Sequence, residues 1–449
     1  MSDDGFYVVN GYLTQYLGEG GNVVIPDSVV YINDYAFCYC GDNLTSVTFP
    51  AGLEHISCRA FYRCTGLTAL ELPDTVISIG AEAFCDTGYY QNESNWEDGV
   101  LYIGKHLIKA DECLSGAYKV KEGTITIADN AFDGCTELTS ITLPESLRYI
   151  GESAFCQCEA IESIVIPEGV TSIPDSVFQD CTSLSSVVIP DSVTSIGRYA
   201  FGFCKSITSV TLSAGIKDIE LNAFVDCEAL ETVNIADIAA WCEINFEEFE
   251  ANPVFYSKKL FVNGELLTDL VVPESVVSIS GYAFCDCEGL TSVAFHKDVN
   301  HIGKYSFSGC SGLNAVHITD IASWNSICFD EHNPLIEAEN LYLKGELVTE
   351  LVFPDGTKKI GDNALLMCRN LTSVVIPQGV EVIGSGAFRR CADLISVTIP
   401  DSVIRIEKDA FFDCTGLEEV LYTGSVYDWE KIEISTGNDV LNEADIYYL

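Results

Sequence analysis

The chain has 449 residues, 48% of them hydrophobic, which is enough apolar material for a large core and excludes disorder. Lys and Arg number 23 against 67 Asp and Glu, a formal charge of −44 that repels nucleic-acid backbones and anionic lipid. No apolar run reaches the roughly 18–20 residues that span a bilayer, and "MSDDGFYVVNGYL" lacks the basic-then-apolar pattern of a secretory signal.

Residues 1–22 read as an N-terminal cap hairpin, and residues 23–449 as one array of a small repeated unit. The Phe of a recurring "AF" marks the copies: Phe37, Phe61, Phe84, Phe132, Phe155, Phe178, Phe201, Phe224, Phe284, Phe307, Phe388 and Phe411, with Leu365 in the same role. The dominant spacing is 23 residues, too short for a unit to bury its apolar face except against its neighbours. In the copy at Phe132 the inward set is Phe132, Cys135, Leu138, Ile141, Leu143, Leu147, Ile150 and Ala154, with Ser140 and Thr142 alternating outward as on a strand. Pro144 ends the strand and Gly151 permits the turn into the next coil.

One cysteine column follows the marker by three residues and includes Cys135, Cys158, Cys181, Cys204 and Cys227, which are expected as buried, reduced, structural thiols. Neighbouring coils hold Cβ atoms about 4.7–4.9 Å apart, beyond the usual ~3.5–4.5 Å of a disulfide. The pairs Cys38/Cys40, Cys156/Cys158 and Cys285/Cys287 are spaced C-x-C, unlike the C-x2-4-C of common zinc sites. No cofactor is expected.

The phrase "LTSVVIPDSVTSIGxYAFxxCxxL", nearly complete from Leu184 to Ile207, resembles the BspA-like leucine-rich repeat family over almost the whole chain. The resemblance implies a leucine-rich-repeat solenoid of short parallel strands and 23-residue coils, β-rich with little helix, forming a single elongated domain. It also implies a secreted or cell-surface location, protein binding and adhesion, with a host or neighbouring-cell surface protein as partner, and no catalytic residues. An intracellular or architectural scaffold is the alternative supported by the thiols and the missing signal, and a glycan- or metal-binding surface is a third.

Three elaborated repeats interrupt the period, at 85–131, 236–273 and 319–354, and a truncated one closes the chain at 423–449. The first contains "GVLYIGKHLIKA", a hairpin turning at Gly104-Lys105. The second and third each open with an Asp N-cap and a short helix carrying Trp241 or Trp324, and close with a hairpin at Asn263-Gly264 or Lys344-Gly345. Trp429 falls in the same register of the last copy, whose pattern stops before its hairpin turn and reads as a fragment of a longer protein or an exposed strand edge. The recurring Trp residues are expected in the core.

For chemistry the chain offers little. No nucleophile elbow, zinc-protease helix or phosphate-cradling glycine loop is present, so enzyme activity is not expected. The outward strand positions are Ser, Thr, Val and Ala, poor in the Trp, Tyr and Arg that dominate binding hot spots. Tyr89, Tyr90 and Trp96 do not recur and are the candidates for contacts, while His296 and His317, near successive strand registers, are the candidates for a transition metal. Nucleic-acid binding and membrane insertion are excluded by the charge and the apolar pattern.

Overall fold

The computed structural model describes residues 5–449, in two compact units, Met1–Val233 and Asn234–Leu449. Each is a solenoid of stacked coils in which a coil contributes one longer and one two-residue strand.

In the first unit Phe6–Val9 and Tyr12–Tyr16 form an antiparallel hairpin, and Tyr12–Tyr16 then pairs in parallel with Tyr31–Ile32. Residues 1–4 of the expected cap lie outside the described residues. Further along, Ser163–Val165, Ser186–Val188 and Ser209–Leu212 pair in parallel, Ser163 opposite Ser186 and Ser186 opposite Ser209. The short strands Ser172–Ile173, Ser195–Ile196 and Asp218–Ile219 stack beside them in the same register. Inward Ile and Val of these strands are buried, whereas outward Val165 is 80% exposed.

The marker phenylalanines stack along the core. Ring centroids are 5.1 Å apart from Phe132 to Phe155, 5.6 Å to Phe178, 5.5 Å to Phe201 and 5.3 Å to Phe224. These distances follow the coil spacing of about 4.8 Å.

Between its strands each marker coil runs through overlapping turns rather than extended chain. Around Phe132, Ala131, Asp133 and Cys135 donate N–H bonds to the carbonyls of Ala128, Asn130 and Phe132. The alternate N–H groups, of Asn130, Phe132 and Gly134, donate to Glu152, Ala154 and Cys156 in the next coil. The backbone is left-handed two residues before and after the marker: Asn130 has φ 54° and Gly134 φ 80°, Tyr199 has φ 53° and Phe203 φ 61°. Gly151 is required for a different reason, since a Cβ there would lie 2.3 Å from the Asp129 nitrogen. The need is for backbone approach between coils, not for the tight turn expected from the sequence.

In the second unit the variant repeats continue the coil. Leu341–Leu343 pairs in parallel with Ala315–Ile318, and Cys328–Phe329 with His301–Ile302. The last copy behaves alike, Asp445–Tyr448 adding to Glu419–Tyr422 and Glu433–Ile434 to Arg405–Ile406. The turns of the solenoid are therefore more numerous than the marker residues. Asp237 caps Ile238–Cys242 by accepting from Ala239 at 2.8 Å, and Asp320 caps Ile321–Asn325 by accepting from Ser323 at 2.8 Å. Trp241 and Trp324 are 1% exposed, and their indole N–H groups donate to Ala283 O at 2.8 Å and Ala364 O at 2.7 Å. Trp429 is also buried, edge-on to Tyr422.

Candidate binding surface

The cysteine column is buried, and all 20 cysteines are free thiols. Where one marker coil follows another directly, the column sulfur also donates to the marker carbonyl of the preceding coil: Cys158 Sγ to Phe132 O at 3.2 Å, Cys181 to Phe155 at 3.2 Å, Cys204 to Phe178 at 3.0 Å and Cys227 to Phe201 at 3.2 Å. Cys135 donates instead to Asp111 O at 3.4 Å. Burial pushes the Cys181 and Cys204 thiols well above their usual range, so they stay protonated and keep the S–H that the ladder uses.

The left-handed positions project outward on the turn face. Many are Asn, Asp, Ser or Gly and others are bulky, such as Tyr199, Phe203 and Met367; the first two marker coils carry Tyr35 and Tyr39, then Arg59 and Arg63, with φ between 54° and 64°. The Arg59 guanidinium lies 6.0 Å from the Tyr35 ring centre and 5.6 Å from that of Tyr62. Arg63 lies 5.8 Å from Tyr39 and 5.1 Å from Tyr62. Tyr39 and Tyr62 meet edge to face at 6.1 Å. Arg59 is anchored from the third coil, Nε donating to Glu82 Oε2 at 2.8 Å and Nη2 to Oε1 at 3.1 Å, and this fork holds the Glu82 carboxyl below its ordinary range. Tyr39 is 68% exposed and Tyr35 48%. None of these five residues was singled out from the sequence. The signal was available in the 23-residue offsets that place Tyr39 beside Tyr62 and Arg59 beside Glu82.

The expected contact residues lie on the first elaborated repeat and are half-buried against the core. Tyr89 donates its hydroxyl to Tyr102 O at 2.9 Å, and Trp96 its indole N–H to Tyr90 O at 2.8 Å. Tyr90 and Trp96 stack edge to face at 5.2 Å. Tyr90 also lines a cavity of roughly 370 Å³, with Glu82, Phe84, Cys85, Lys109, Glu112, Asp129 and Asp133 among its other walls. Burial pushes the Asp129 carboxyl up to about 7, although the backbone N–H groups of Glu152 and Ala81 bond it.

The two candidate histidines occupy different surroundings. His317 stacks on Tyr342 at 4.8 Å. His296 Nε2 donates to Pro273 O and Val276 O, both at 3.0 Å, which leaves Nδ1 as the acceptor, facing Glu274 at 3.7 Å. Glu274, His296 and Asp298 bring three ligand atoms within 4.8 Å of one another. That group is already partnered internally, because Asp298 N–H points at Nδ1 and the Lys297 ammonium bonds both Asp298 oxygens. A Ser278–His301–Asp330 chain, with links of 2.9 and 3.0 Å, resembles a hydrolase relay. The same cross-strand register produces the Ser78–His55 pair at 2.7 Å, which marks it as a product of parallel pairing.

Stacked parallel coils with a one-sided apolar repeat define a leucine-rich-repeat solenoid. The family model described as "BspA type Leucine rich repeat region (6 copies)" matches residues 19–115, 110–231, 255–340 and 338–433, and the chain belongs to that family. Such solenoids are generally non-catalytic. Among solved structures, a leucine rich cell surface protein of Faecalibacterium prausnitzii is similar at 24% identity, covering 97% of this chain and 98% of that one, with a TM-score of 0.31. A leucine-rich repeat protein of Bacteroides ovatus is similar at 20% identity, covering 98% and 87%, with a TM-score of 0.31. One of T. pallidum shares 26% identity over 52% of this chain and 85% of that one, with a TM-score of 0.24. No curated protein matches significantly.

Proposed function

We propose that the chain is a non-catalytic protein-binding module of the adhesive kind, carried at a cell surface or secreted, and that its recognition surface is the turn face of the first coils. The carrying observation is the cluster Tyr35, Tyr39, Arg59, Tyr62 and Arg63. Four of these sit at positive φ, where Gly, Asn or Asp cost less. Elsewhere the same register uses Asn130, Gly134, Asn222 and Asp226, and also the bulky Tyr199, Phe203, Tyr282, Tyr305 and Met367, but only the first coils bring two Arg and three Tyr together. Bulky side chains at such positions lower coil stability, which fits selection for their outward ends. Tyr and Arg are the residues over-represented in hot spots, and here they stand on a surface otherwise dominated by carboxylates.

The test is adhesion of the purified chain to matrix proteins and partner cells, beside an equally acidic globular protein and the double variant Tyr39→Ala/Tyr62→Ala. Retention above the acidic control, lost in the variant, is expected. Equal retention of variant and parent, or none above the control, overturns the reading.

A further inference from the structure

From Tyr35 to Phe203 every marker coil but one hands three N–H groups to the next coil. Tyr35, Phe37 and Tyr39 donate to Cys58, Ala60 and Tyr62, and Arg59, Phe61 and Arg63 donate to Ala81, Ala83 and Cys85. The coil at Phe84 is the exception in this span; beyond it the coils at Phe224 and Phe307, also followed by insertions, leave the N–H groups of Phe224, Asp226, Tyr305 and Phe307 without an acceptor among the described residues. In the Phe84 coil the carbonyls of Ala81, Ala83 and Cys85 are taken by the coil before it, but the N–H groups of Glu82 and Phe84 have no acceptor among the described residues and that of Asp86 meets only the Cys85 thiol. A trans peptide points its C=O and N–H in opposite directions. The three donors therefore aim away from the second coil, towards the cavity that Glu82 and Phe84 line.

The cause lies in the first elaborated repeat. Where the next set of overlapping turns would run, the chain is instead extended as His106–Ala110, paired antiparallel with Val100–Ile103. An extended strand does not present carbonyls at the spacing of the turns. It serves the following coil, through Ala110 N–H to Ala131 O at 2.7 Å and Lys109 Nζ to Asn130 O at 2.8 Å. It leaves the preceding one unmet. By contrast, the last variant repeat meets two of the three from its own atoms, Asp409 N–H donating to Thr436 O at 3.0 Å and Phe411 N–H to Asn438 Oδ1 at 2.9 Å.

A row of parallel backbone donors calls for a row of acceptors, and the walls decide their charge. Glu82, Glu112, Asp129 and Asp133 line the cavity; Glu82 is paired with Arg59 and Asp129 with backbone N–H groups, so Glu112 and Asp133 carry most of its charge, and its one cation, Lys109, is bonded to Asn130 O. A carboxylate or phosphate would meet this acidic wall, whereas neutral carbonyls flanked by cationic side chains would not. We propose that the slot between the Phe84 coil and the His106–Ala110 strand binds an extended peptide bearing Lys or Arg, whose backbone carbonyls accept from Glu82, Phe84 and Asp86. The mode is the backbone pairing of strand addition, with the acids selecting the side chains. Tyr90, held by Trp96, forms an apolar wall. The inference rests on the protein-binding reading and names the chemistry of one ligand.

The probe is a capped peptide of about six residues, alternating lysine and valine and about 20 Å long when extended. Its glutamate-for-lysine version and inorganic phosphate are the comparisons, on the whole chain. The lysine peptide is expected to bind at least tenfold tighter than the glutamate peptide and to slow amide exchange of Glu82, Phe84 and Asp86 by tenfold or so. Cys85→Tyr should abolish both effects by filling the slot, and Tyr62 already occupies the equivalent register one coil earlier. Glu112→Lys, at an exposed site, should weaken binding without affecting folding, which covers the case of a misfolded Cys85→Tyr. Preference for the glutamate peptide or phosphate, binding that leaves these amides unprotected, binding indifferent to Glu112→Lys, or absence of peptide binding each overturns the proposal. If cell or matrix adhesion through Tyr39 and Tyr62 persists in such a case, the slot alone is refuted and the protein-binding reading stands.

Discussion

Replacing Cys204 separates two accounts of the sulfur column. The side chain is fully buried, and its Sγ donates to Phe178 O at 3.0 Å. In Cys204→Ala the lost transfer free energy of one sulfur is about 0.8 kcal/mol, taken as a methylene. The void of roughly 25 Å³ adds about 0.6 kcal/mol. The lost bond adds about 0.5 kcal/mol, the low end of the range, because a thiol is a weak donor. Phe178 O also keeps its bond from Cys181 N–H, so it is not left unsatisfied. The total is about 2 kcal/mol. Cys204→Ser restores a donor to the same carbonyl, and that bond offsets most of the hydroxyl's desolvation, so about 1 kcal/mol of loss is expected.

If the sulfur were only apolar filler, the order would invert. An unpaired buried hydroxyl costs about 1–3 kcal/mol, and Ser would then be worse than Ala. Because long repeat arrays lose cooperativity, the readout is local: exchange of the Phe201 amide, which donates to Ala223 O in the neighbouring coil, measured with reductant present. Cys204→Ser less protected than Cys204→Ala would refute the hydrogen-bonded ladder.

Thiol labelling of the native chain at pH 8 should modify exposed Cys113 and Cys328 first and leave Cys181, Cys204 and Cys391 unmodified until unfolding, as mass spectrometry of peptides would show. Asp129 has a folded value of about 7 against about 3.9 unfolded, so between these pH values the folded state holds a proton the unfolded state has released, and stability falls as pH rises through the window. Asp129→Asn should remove that loss, worth about 2–4 kcal/mol at pH 8 after allowance for partial exposure; identical pH profiles in urea unfolding would contradict the assignment. Gly151→Ala should destabilise its coil by about 2–4 kcal/mol through backbone clash, while Gly52→Ala, where a Cβ meets nothing within 4 Å, should be close to neutral in the same measurement.

What was legible in the sequence followed from repetition. Phe132, Cys135, Leu138 and Ile141 are inward because the same types return every 23 residues, and a face that repeats must meet its copies. The caps Asp237 and Asp320 and the Asn263-Gly264 turn were legible from local chemistry, and Asn263 and Gly264 indeed have positive φ. The overlapping turns were not legible, because Tyr39, Phe203 and Met367 occupy left-handed positions that local propensity assigns to Gly or Asn. The Tyr–Arg cluster escaped because its members are neighbours only across coils. Asn252 and Asn333 follow the same register, 81 residues apart, and are fully buried. Each donates to two carbonyls of the following marker coil, to Tyr282 and Ala283 or to Asn363 and Ala364. The Asn-Pro step shared by the two repeats was the available clue.

The insertions also differ in how they meet the coils on either side. Each marker coil has carbonyls facing backward and N–H groups facing forward, so any segment inserted between two coils faces both rows. The Trp-bearing repeats serve the coil after them with side chains, the indole of Trp241 or Trp324 and the amide of Asn252 or Asn333. They serve the coil before them only in part: Glu337 Oε1 accepts from Gly309 N–H at 3.1 Å and Asn438 from Phe411, while Phe224, Asp226, Tyr305 and Phe307 N–H have no acceptor among the described residues. The hairpin repeat uses its extended backbone for the following coil only. The donors of Glu82 and Phe84 are left over as a result, and aqueous access through the cavity is what makes them tolerable without a partner. Grafting the Asn438-bearing turn of the last repeat, the one whose amide oxygen accepts from the marker N–H of the coil before it, in place of residues 106–112 should then close the slot and raise amide protection at Phe84 without any ligand.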